Sequence, residues 1–117
     1  MTKISFIGAG NMARALVGGL LKAGQDPELI TASDPFENAR NALAQMGVST
    51  SDSNVASVRD ADVIVLAVKP QMLTDVLRDV AASLPPNALL ISIVAGMPLS
   101  AISAALSLAG DGNRAVV

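Results

Sequence analysis

The sequence predicts an α/β fold, a doubly wound parallel sheet with helices on both faces. Short apolar runs alternate with helical patterns along the chain, which is typical of parallel strands joined by crossover helices. Residues 63–68 form an uninterrupted apolar run, as expected of a strand that is covered on both faces. Hydrophobic residues make up 51% of the 117 residues, which fits such a buried sheet. The length is that of one domain.

The predicted elements follow one another in a regular order. Strands are expected at residues 3–7, 29–32, 48–50, 63–68 and 89–94. Helices or helical turns are expected at residues 11–23, 34–46, 53–58, 71–84 and 99–108, with Gly24, Gly47, Pro85 and Pro86 as terminators. A further apolar run at residues 115–117 predicts the start of a sixth strand. We therefore expect residues 1–117 to form one domain that is truncated within that strand, with a natural C-terminal edge strand as the alternative.

Two of these helices carry more detailed predictions. The first should turn one face toward the sheet at spacings of three and four, formed by Met12, Leu16, Leu20 and Ala23. The second should begin with Asp34 as its N-cap and Pro35 at its first position. A carboxylate accepts bonds from the free N–H groups at a helix start, and proline has no N–H to leave unpaired there.

The turn after the first strand carries the main functional signal. Residues 8–13 read Gly-Ala-Gly-Asn-Met-Ala, which matches the pattern Gly-x-Gly-x-x-(Gly or Ala) at a strand-to-helix turn. Gly8 permits the tight turn, Gly10 leaves room for a pyrophosphate, and Ala13 lets the helix pack close to the strand. The helix N-terminus then offers free N–H groups to the anion. The pattern predicts a Rossmann-type domain that binds a dinucleotide, with a purely structural glycine turn as the alternative.

Further candidate residues lie where the other strands end. Ligands of a doubly wound sheet bind outside the carboxyl ends of its strands, beside the switch point. This rule selects residues 8–12, 33–34, 68–70 and 95–96. Asp34 follows the glycine turn by about 20 residues, the spacing of a carboxylate that binds ribose hydroxyl groups. The alternatives are that Asp34 is only a helix cap, Lys69 only a solvated charge, Asn54 only a turn former, and residues 95–96 a plain turn.

The composition excludes several classes of site. The chain has no histidine and no cysteine, which excludes disulfides, thiol nucleophiles, a Ser-His-Asp triad and most zinc sites. We identify no catalytic residue and no metal ligands. The net charge of −2 and the lack of a basic patch predict no nucleic-acid partner. The sequence shows no run long enough to span a membrane and no signal peptide, and its lack of cysteine fits a cytoplasmic location.

Three segments, taken in order, are more specific than the glycine turn alone. They are residues 7–13 (Ile-Gly-Ala-Gly-Asn-Met-Ala), 61–71 (Ala-Asp-Val-Ile-Val-Leu-Ala-Val-Lys-Pro-Gln) and 92–97 (Ser-Ile-Val-Ala-Gly-Met). Together they resemble pyrroline-5-carboxylate reductase. The resemblance implies reduction of the cyclic imine 1-pyrroline-5-carboxylate to L-proline with NADPH or NADH, the last step of proline biosynthesis. It also implies a helical domain, absent from this chain, that builds a dimer and supplies much of the imino-acid site.

The resemblance also assigns parts of the cofactor to the candidate residues. The pyrophosphate would be held by Gly8, Gly10, Asn11 and Met12. The adenosine ribose would meet Ser33 and Asp34, with Asn54 near the adenine. The nicotinamide ribose would be lined by Ala67, Val68, Lys69 and Pro70, and the nicotinamide would be approached by Ala95 and Gly96.

The choice between NADPH and NADH stays open in the sequence. Asp34 departs from a site made for the 2′-phosphate of NADP, because a carboxylate repels the phosphate and accepts bonds from a free 2′-hydroxyl. Arg40 is the nearest basic residue, but the predicted helix places it a turn or more away. Asp34 is therefore expected to favour NADH.

Two other interpretations compete with the reductase. One is the cofactor domain of a β-hydroxyacid dehydrogenase of the 6-phosphogluconate type, against which Asn11, Met12 and the Val-Lys-Pro segment argue. The other is a non-catalytic module that senses a dinucleotide. A helical domain following residue 117 would favour the reductase. We expect the isolated chain to be inactive and to self-associate, and its full-length parent to be a homo-oligomer.

Overall fold

The fold is a five-stranded parallel sheet covered by helices, seen in a computed structural model that describes residues 2–94, 100, 102, 103, 106, 116 and 117. The strands are β1 (Ile4–Ile7), β2 (Ile30–Ser33), β3 (Ser49–Ser51), β4 (Val63–Leu66) and β5 (Leu89–Ser92). The α-helices are α1 (Asn11–Lys22), α2 (Glu37–Ala44), α3 (Asn54–Val58) and α4 (Leu73–Val80). Short 3₁₀ turns cover Pro27–Leu29, Pro70–Met72 and Ala81–Ser83.

The strand order creates a switch point at the centre of the sheet. The order is β3-β2-β1-β4-β5, and every pair is parallel. In the central strand Ile7 aligns with Ser33 on one side and with Leu66 on the other. The C-terminal ends of β1, β2 and β4 therefore lie side by side at one edge of the sheet. At this edge the connections that follow β1 and β4 leave in opposite directions. The predicted doubly wound fold is confirmed.

Two hydrophobic cores cover the two faces of the sheet. Because successive strand residues point to opposite faces, Phe6 and Val65 belong to one core and Ile7 and Leu66 to the other. The first core contains buried residues of α1 and α2, and the second contains those of α4. Burial on both faces explains why the sequence of β4 is apolar throughout.

The predicted inward face of α1 is wrong at Met12, Leu16 and Ala23, whereas Leu20 is partly buried against the core as predicted. Met12 is 60% exposed and Leu16 39% exposed, whereas Ala13 and Val17 are buried. The glycine turn brings the helix close to the sheet through the small side chain of Ala13, and this contact sets which face turns inward. The predicted stop holds, because α1 ends at Lys22 and Gly24 follows with a φ of 98°.

The start of α2 also differs from the prediction. The helix begins at Glu37, its N-cap is Phe36, and Asp34 and Pro35 lie in the preceding loop. The Asp34 carboxylate accepts from the N–H of Phe36 and so closes a turn of its own before the helix starts. The alternative that Asp34 is merely the cap of this helix is therefore excluded.

Other boundaries shift by a few residues. The predicted helix over 71–84 divides into the 3₁₀ turn at Pro70–Met72, α4 and the 3₁₀ turn at Ala81–Ser83. Its predicted inward residues are nevertheless buried, namely Val76, Leu77, Val80 and Leu84. Strands β4 and β5 each end two residues earlier than predicted, which leaves Ala67 and Val68 free to line the sheet edge.

The last described residues continue the sheet beyond β5. Val116 forms an isolated parallel bridge with Leu90, and the Ser92 N–H donates to the carbonyl of Val117 at 2.8 Å. This is the position of the predicted sixth strand. Residue 115, and most of the predicted helix over 99–108, lie outside the described residues, although Ile102 and Leu106 are buried. Within the described part of the chain, no helix is long and apolar enough to cross a membrane.

Candidate dinucleotide site

Gly8 allows β1 and β4 to approach each other at the end of the sheet. Its φ is 105°, and a Cβ placed on it would lie 2.5 Å from the carbonyl oxygen of Ala67. The Gly8 N–H donates to the carbonyl of Ser33 at 2.7 Å, which extends the pairing with β2 by one residue. Any side chain at this position would displace the backbone that follows β4, so glycine is required by the fold itself.

Gly10 occupies a different environment from Gly8. It is the N-cap of α1 with a φ of −78°, and a Cβ there would meet no atom within 4 Å. No side chain caps the first turn of the helix. The N–H groups of that turn therefore have no side-chain cap, and they lie beside the cleft-lining Gly10 at the positive end of a 12-residue helix. This is the environment that an anion such as a pyrophosphate requires.

Asp34 connects the end of β2 to the glycine turn. Its Oδ2 accepts from the Ala9 N–H at 2.9 Å, and its Oδ1 accepts from the Phe36 N–H at 2.8 Å. The Arg40 Nη1 donates to the Asp34 carbonyl at 2.9 Å. The sequence interpretation kept Arg40 away from the site, but its long side chain reaches back over the first turn of α2.

Ser33 and Asn54 form a second connection across the sheet edge. The buried Ser33 hydroxyl donates to Asn54 Oδ1 at 2.7 Å, and Asn54 Nδ2 lies 3.4 Å from Asp79 Oδ2. Because these residues come from β2, α3 and α4, the connection holds three elements around one space. Asn54 is therefore more than a turn former.

A cleft of about 760 Å³ opens between these elements. This size lies within the usual range of roughly 300–1,000 Å³ for small-molecule and cofactor sites. Its walls come from the ends of β1, β2 and β4 and from one side of α4. The lining residues are Ile7, Gly8, Gly10, Ser33, Asp34, Pro35, Phe36, Ala39, Asp52, Asn54, Ala67, Val68, Lys69, Gln71, Met72, Asp75, Val76 and Asp79.

The structure brings together most of the predicted site residues. Eight of them line the cleft: Gly8, Gly10, Ser33, Asp34, Asn54, Ala67, Val68 and Lys69. Asn11, Met12 and Pro70 lie beside it without lining it; the Asn11 side chain accepts a hydrogen bond from Arg14. Ala95 and Gly96 lie outside the described residues, so their predicted approach to the nicotinamide stays a prediction.

Sequence reasoning missed the side of the cleft formed by α4 and the α2 loop. Phe36 is 70% exposed and Met72 is 42% exposed, although both line the cleft. Asp75 and Asp79 lie one turn apart on α4 and also face it. The available signal for Phe36 was an aromatic residue three positions after the end of β2. The charged residues of α4 gave no such signal, because their pattern is that of an ordinary solvent-exposed helix face.

The described lining of the cleft carries more carboxylates than cations. Among the described lining residues Lys69 is the one cation, while the carboxylates belong to Asp34, Asp52, Asp75 and Asp79. No cluster of metal-ligating side chains occurs in the described part of the chain. The arrangement can hold an anion at α1 and hydroxyl-bearing groups at β2 and α3, while the chemistry would come from a bound cofactor.

Known proteins have a similar fold and a similar sequence. Residues 3–96 match the family described as NADP oxidoreductase coenzyme F420-dependent. A pyrroline-5-carboxylate reductase of Pseudomonas aeruginosa is 44% identical over 103 residues, which cover 87% of this chain and 38% of that protein. The solved structure of a pyrroline-5-carboxylate reductase from Coxiella burnetii has a TM-score of 0.84 at 34% identity, covering 90% of this chain and 40% of that one.

A second solved structure adds a bound cofactor. The pyrroline carboxylate reductase of Plasmodium falciparum, determined with NADP bound, has a TM-score of 0.77 at 29% identity and covers 90% of this chain and 38% of that one. The chain spans about two fifths of the length of the curated relatives it matches. The predicted resemblance to pyrroline-5-carboxylate reductase is thereby confirmed, and the chain belongs to the NADP oxidoreductase family described as coenzyme F420-dependent.

Proposed function

We propose that this chain is the NAD(P)H-binding part of a reductase that converts 1-pyrroline-5-carboxylate to L-proline. The observation that carries the proposal is the cleft at the switch point, where the open first turn of α1 meets the ends of β2 and β4. The similarity to named pyrroline-5-carboxylate reductases supports the choice of substrate.

The residues present fit the cofactor. Gly10 leaves the space that a pyrophosphate needs, and Gly8 lets the following backbone pass close to Ala67. Ser33, Asp34 and Asn54 would hold the adenosine half, while Val68 and Lys69 would line the nicotinamide half. When bound, the reduced nicotinamide supplies the hydride that the imine carbon receives. The task of this chain's own residues is to bind the dinucleotide and fix its orientation.

We propose that the remaining functions need residues other than those of this chain, which spans about two fifths of the length of its curated relatives. We propose that a helical domain binds the imino acid, joins two subunits and closes the cleft from outside. The proton that the imine nitrogen receives would then come from that domain or from water, because the cleft offers carboxylates but no histidine, cysteine or tyrosine. The net charge of −2 supports the absence of a nucleic-acid partner, and the lack of cysteine supports a cytoplasmic location.

The proposal can be tested on the product of the complete reading frame that contains this chain. We expect the purified protein to oxidise NADPH or NADH only when 1-pyrroline-5-carboxylate is added. β-Hydroxy acids offered with the oxidised cofactor test the alternative dehydrogenase. Turnover of a β-hydroxy acid without turnover of the imine would contradict the proposed substrate, and saturable cofactor binding with no turnover of either would favour a sensing module.

A further inference from the structure

The loop between β2 and α2 contains the carboxylate of Asp34, and the guanidinium of Arg40 on α2 is bonded to the backbone of that residue. The Asp34 carboxylate accepts from two backbone N–H groups, those of Ala9 at 2.9 Å and Phe36 at 2.8 Å. The Arg40 guanidinium donates to the carbonyl of the same Asp34 at 2.9 Å. Both charged groups therefore lie at the strand end where the fold places the adenosine ribose of a dinucleotide.

The bonds of Asp34 indicate a structural task. One carboxylate oxygen is bound to the glycine turn after β1, and the other is bound to the residue that precedes α2. The side chain thus fixes the distance between two loops that would contact different parts of a cofactor. This task is the same whether the ribose carries a hydroxyl or a phosphate.

Arg40 has donors left for a ligand. A guanidinium has five N–H donors, and the bond to the Asp34 carbonyl uses one nitrogen of the group. In the described part of the chain the structure gives its side chain no second partner. Arg40 is half-buried and follows Ala39, which lines the cleft. Lys69, the cation that lines the cleft, follows β4, and β4 lies on the opposite side of β1 from β2. Among the described residues, Arg40 is a cation whose guanidinium the structure places at the end of β2, on the ribose side.

We propose that Arg40 selects NADPH over NADH by binding the 2′-phosphate of the adenosine ribose, and that Asp34 is a positioning residue for the glycine turn. A guanidinium binds phosphate oxygens through paired, charge-assisted N–H bonds, which a ribose hydroxyl cannot match. A group that projects from the ribose toward α2 comes within reach of this side chain. The inference rests on the proposed function, because it requires that the cleft bind a dinucleotide.

Two small ligands isolate this contact from the rest of the cofactor. 2′,5′-ADP and 5′-AMP differ only in the 2′-phosphate, and their affinities can be measured by calorimetry without any turnover. We expect the chain to bind 2′,5′-ADP roughly tenfold or more tightly than 5′-AMP. Arg40→Gln should remove most of this preference, because it lowers the affinity for 2′,5′-ADP and leaves the affinity for 5′-AMP unchanged. Arg59→Gln, an exposed arginine before β4 at the opposite edge of the sheet, is the matched control and should keep the ratio.

Asp34 gives the second half of the test. Asp34→Asn should weaken both ligands by a similar factor and leave their ratio unchanged, because the change loosens the loops rather than altering the 2′ contact. Arg40→Lys keeps the charge and loses the paired donors, so it should keep part of the preference for 2′,5′-ADP over 5′-AMP. This variant replaces Arg40→Gln in the test if the glutamine variant fails to fold.

Three results would overturn the inference. They are equal binding of the two ligands by the wild-type chain, an unchanged ratio in Arg40→Gln, and a ratio that rises several-fold in Asp34→Asn. The last result would show that Asp34 discriminates against the phosphate, as the sequence alone suggests. A chain that binds neither ligand and neither NADPH nor NADH would contradict the proposed function itself, whereas equal binding contradicts only the role of Arg40.

Discussion

Replacing Gly10 with valine should abolish dinucleotide binding and leave the domain folded. The φ of −78° at this position is one that valine adopts, and a Cβ there would meet no atom within 4 Å. Glycine caps α1 without a side-chain bond, so no such bond is lost. We expect the free energy of unfolding to change by less than about 1 kcal/mol, since valine is only a poorer N-cap than glycine.

The effect on binding should be much larger. A hydrogen bond to a charged group contributes about 1.5–3 kcal/mol, and the branched valine side chain would keep a pyrophosphate away from the N–H groups at the start of α1. Loss of two such bonds corresponds to about 3–6 kcal/mol, or roughly a 10²- to 10⁴-fold rise in Kd.

Gly8 provides the contrasting case. A Cβ at Gly8 would lie 2.5 Å from the oxygen and 2.8 Å from the carbon of the Ala67 carbonyl, and the φ of 105° is unfavourable for any side chain. Backbone strain of this kind costs about 1–3 kcal/mol before the clash is added. Gly8→Ala should therefore lower the free energy of unfolding by a large part of the 5–15 kcal/mol typical of a domain. Gly8 tests the fold, whereas Gly10 tests the site.

The assay is a fluorescence titration with NADPH, combined with thermal unfolding of each variant. Gly19→Val is the matched control, because Gly19 lies on the same helix, its Cβ also meets nothing within 4 Å, and it does not line the cleft. The control should bind NADPH like the wild-type chain. The reasoning is refuted if Gly10→Val binds with unchanged affinity, or if Gly19→Val loses binding to the same extent.

Further predictions concern activity, association and stability. The 117-residue chain alone should not reduce NADP+ with proline, because the imino-acid site is proposed to lie in another domain; proline-dependent reduction in an assay free of host enzymes would contradict this. The chain should self-associate, because Met12 is 60%, Leu16 39% and Val117 57% exposed; light scattering that shows a monomer across a dilution series would contradict this. Ser57→Ala should lower the free energy of unfolding by about 1–3 kcal/mol, because it removes the partner 2.8 Å from the buried Ser5 hydroxyl; an unchanged urea midpoint would contradict this.

The sequence predicted the sheet well because its strands are short, apolar and regularly spaced. β4 was found from an apolar run alone, since burial on both faces demands such a run. The prediction failed for the inward face of α1, where two apolar stripes competed. Met12 and Leu16 fit a helical spacing as well as Ala13 and Val17 do. Only the close approach of the helix at the glycine turn decides between the stripes, and that contact is tertiary.

The site was predictable where it depends on backbone geometry and unpredictable where it depends on side-chain reach. Gly8 and Gly10 were both identified, but the sequence could not show that one is fixed by the Ala67 carbonyl and the other faces open space. Asp34 was identified by its spacing from the glycine turn. The sequence did not show that its carboxylate is directed at the Ala9 N–H. Arg40 was set aside because its distance was counted along the helix rather than along a side chain that folds back to β2.

The central claim is that the cleft at the switch point binds a dinucleotide through the first turn of α1. Amide chemical shifts of the 15N-labelled chain, followed during a titration with NADPH, test it most directly. We predict saturable shifts that are largest at residues 10–12 and at residues 33–34, with little change in the second half of α1. Saturable binding whose shifts spare residues 10–12, or no binding at millimolar NADPH, would contradict the account.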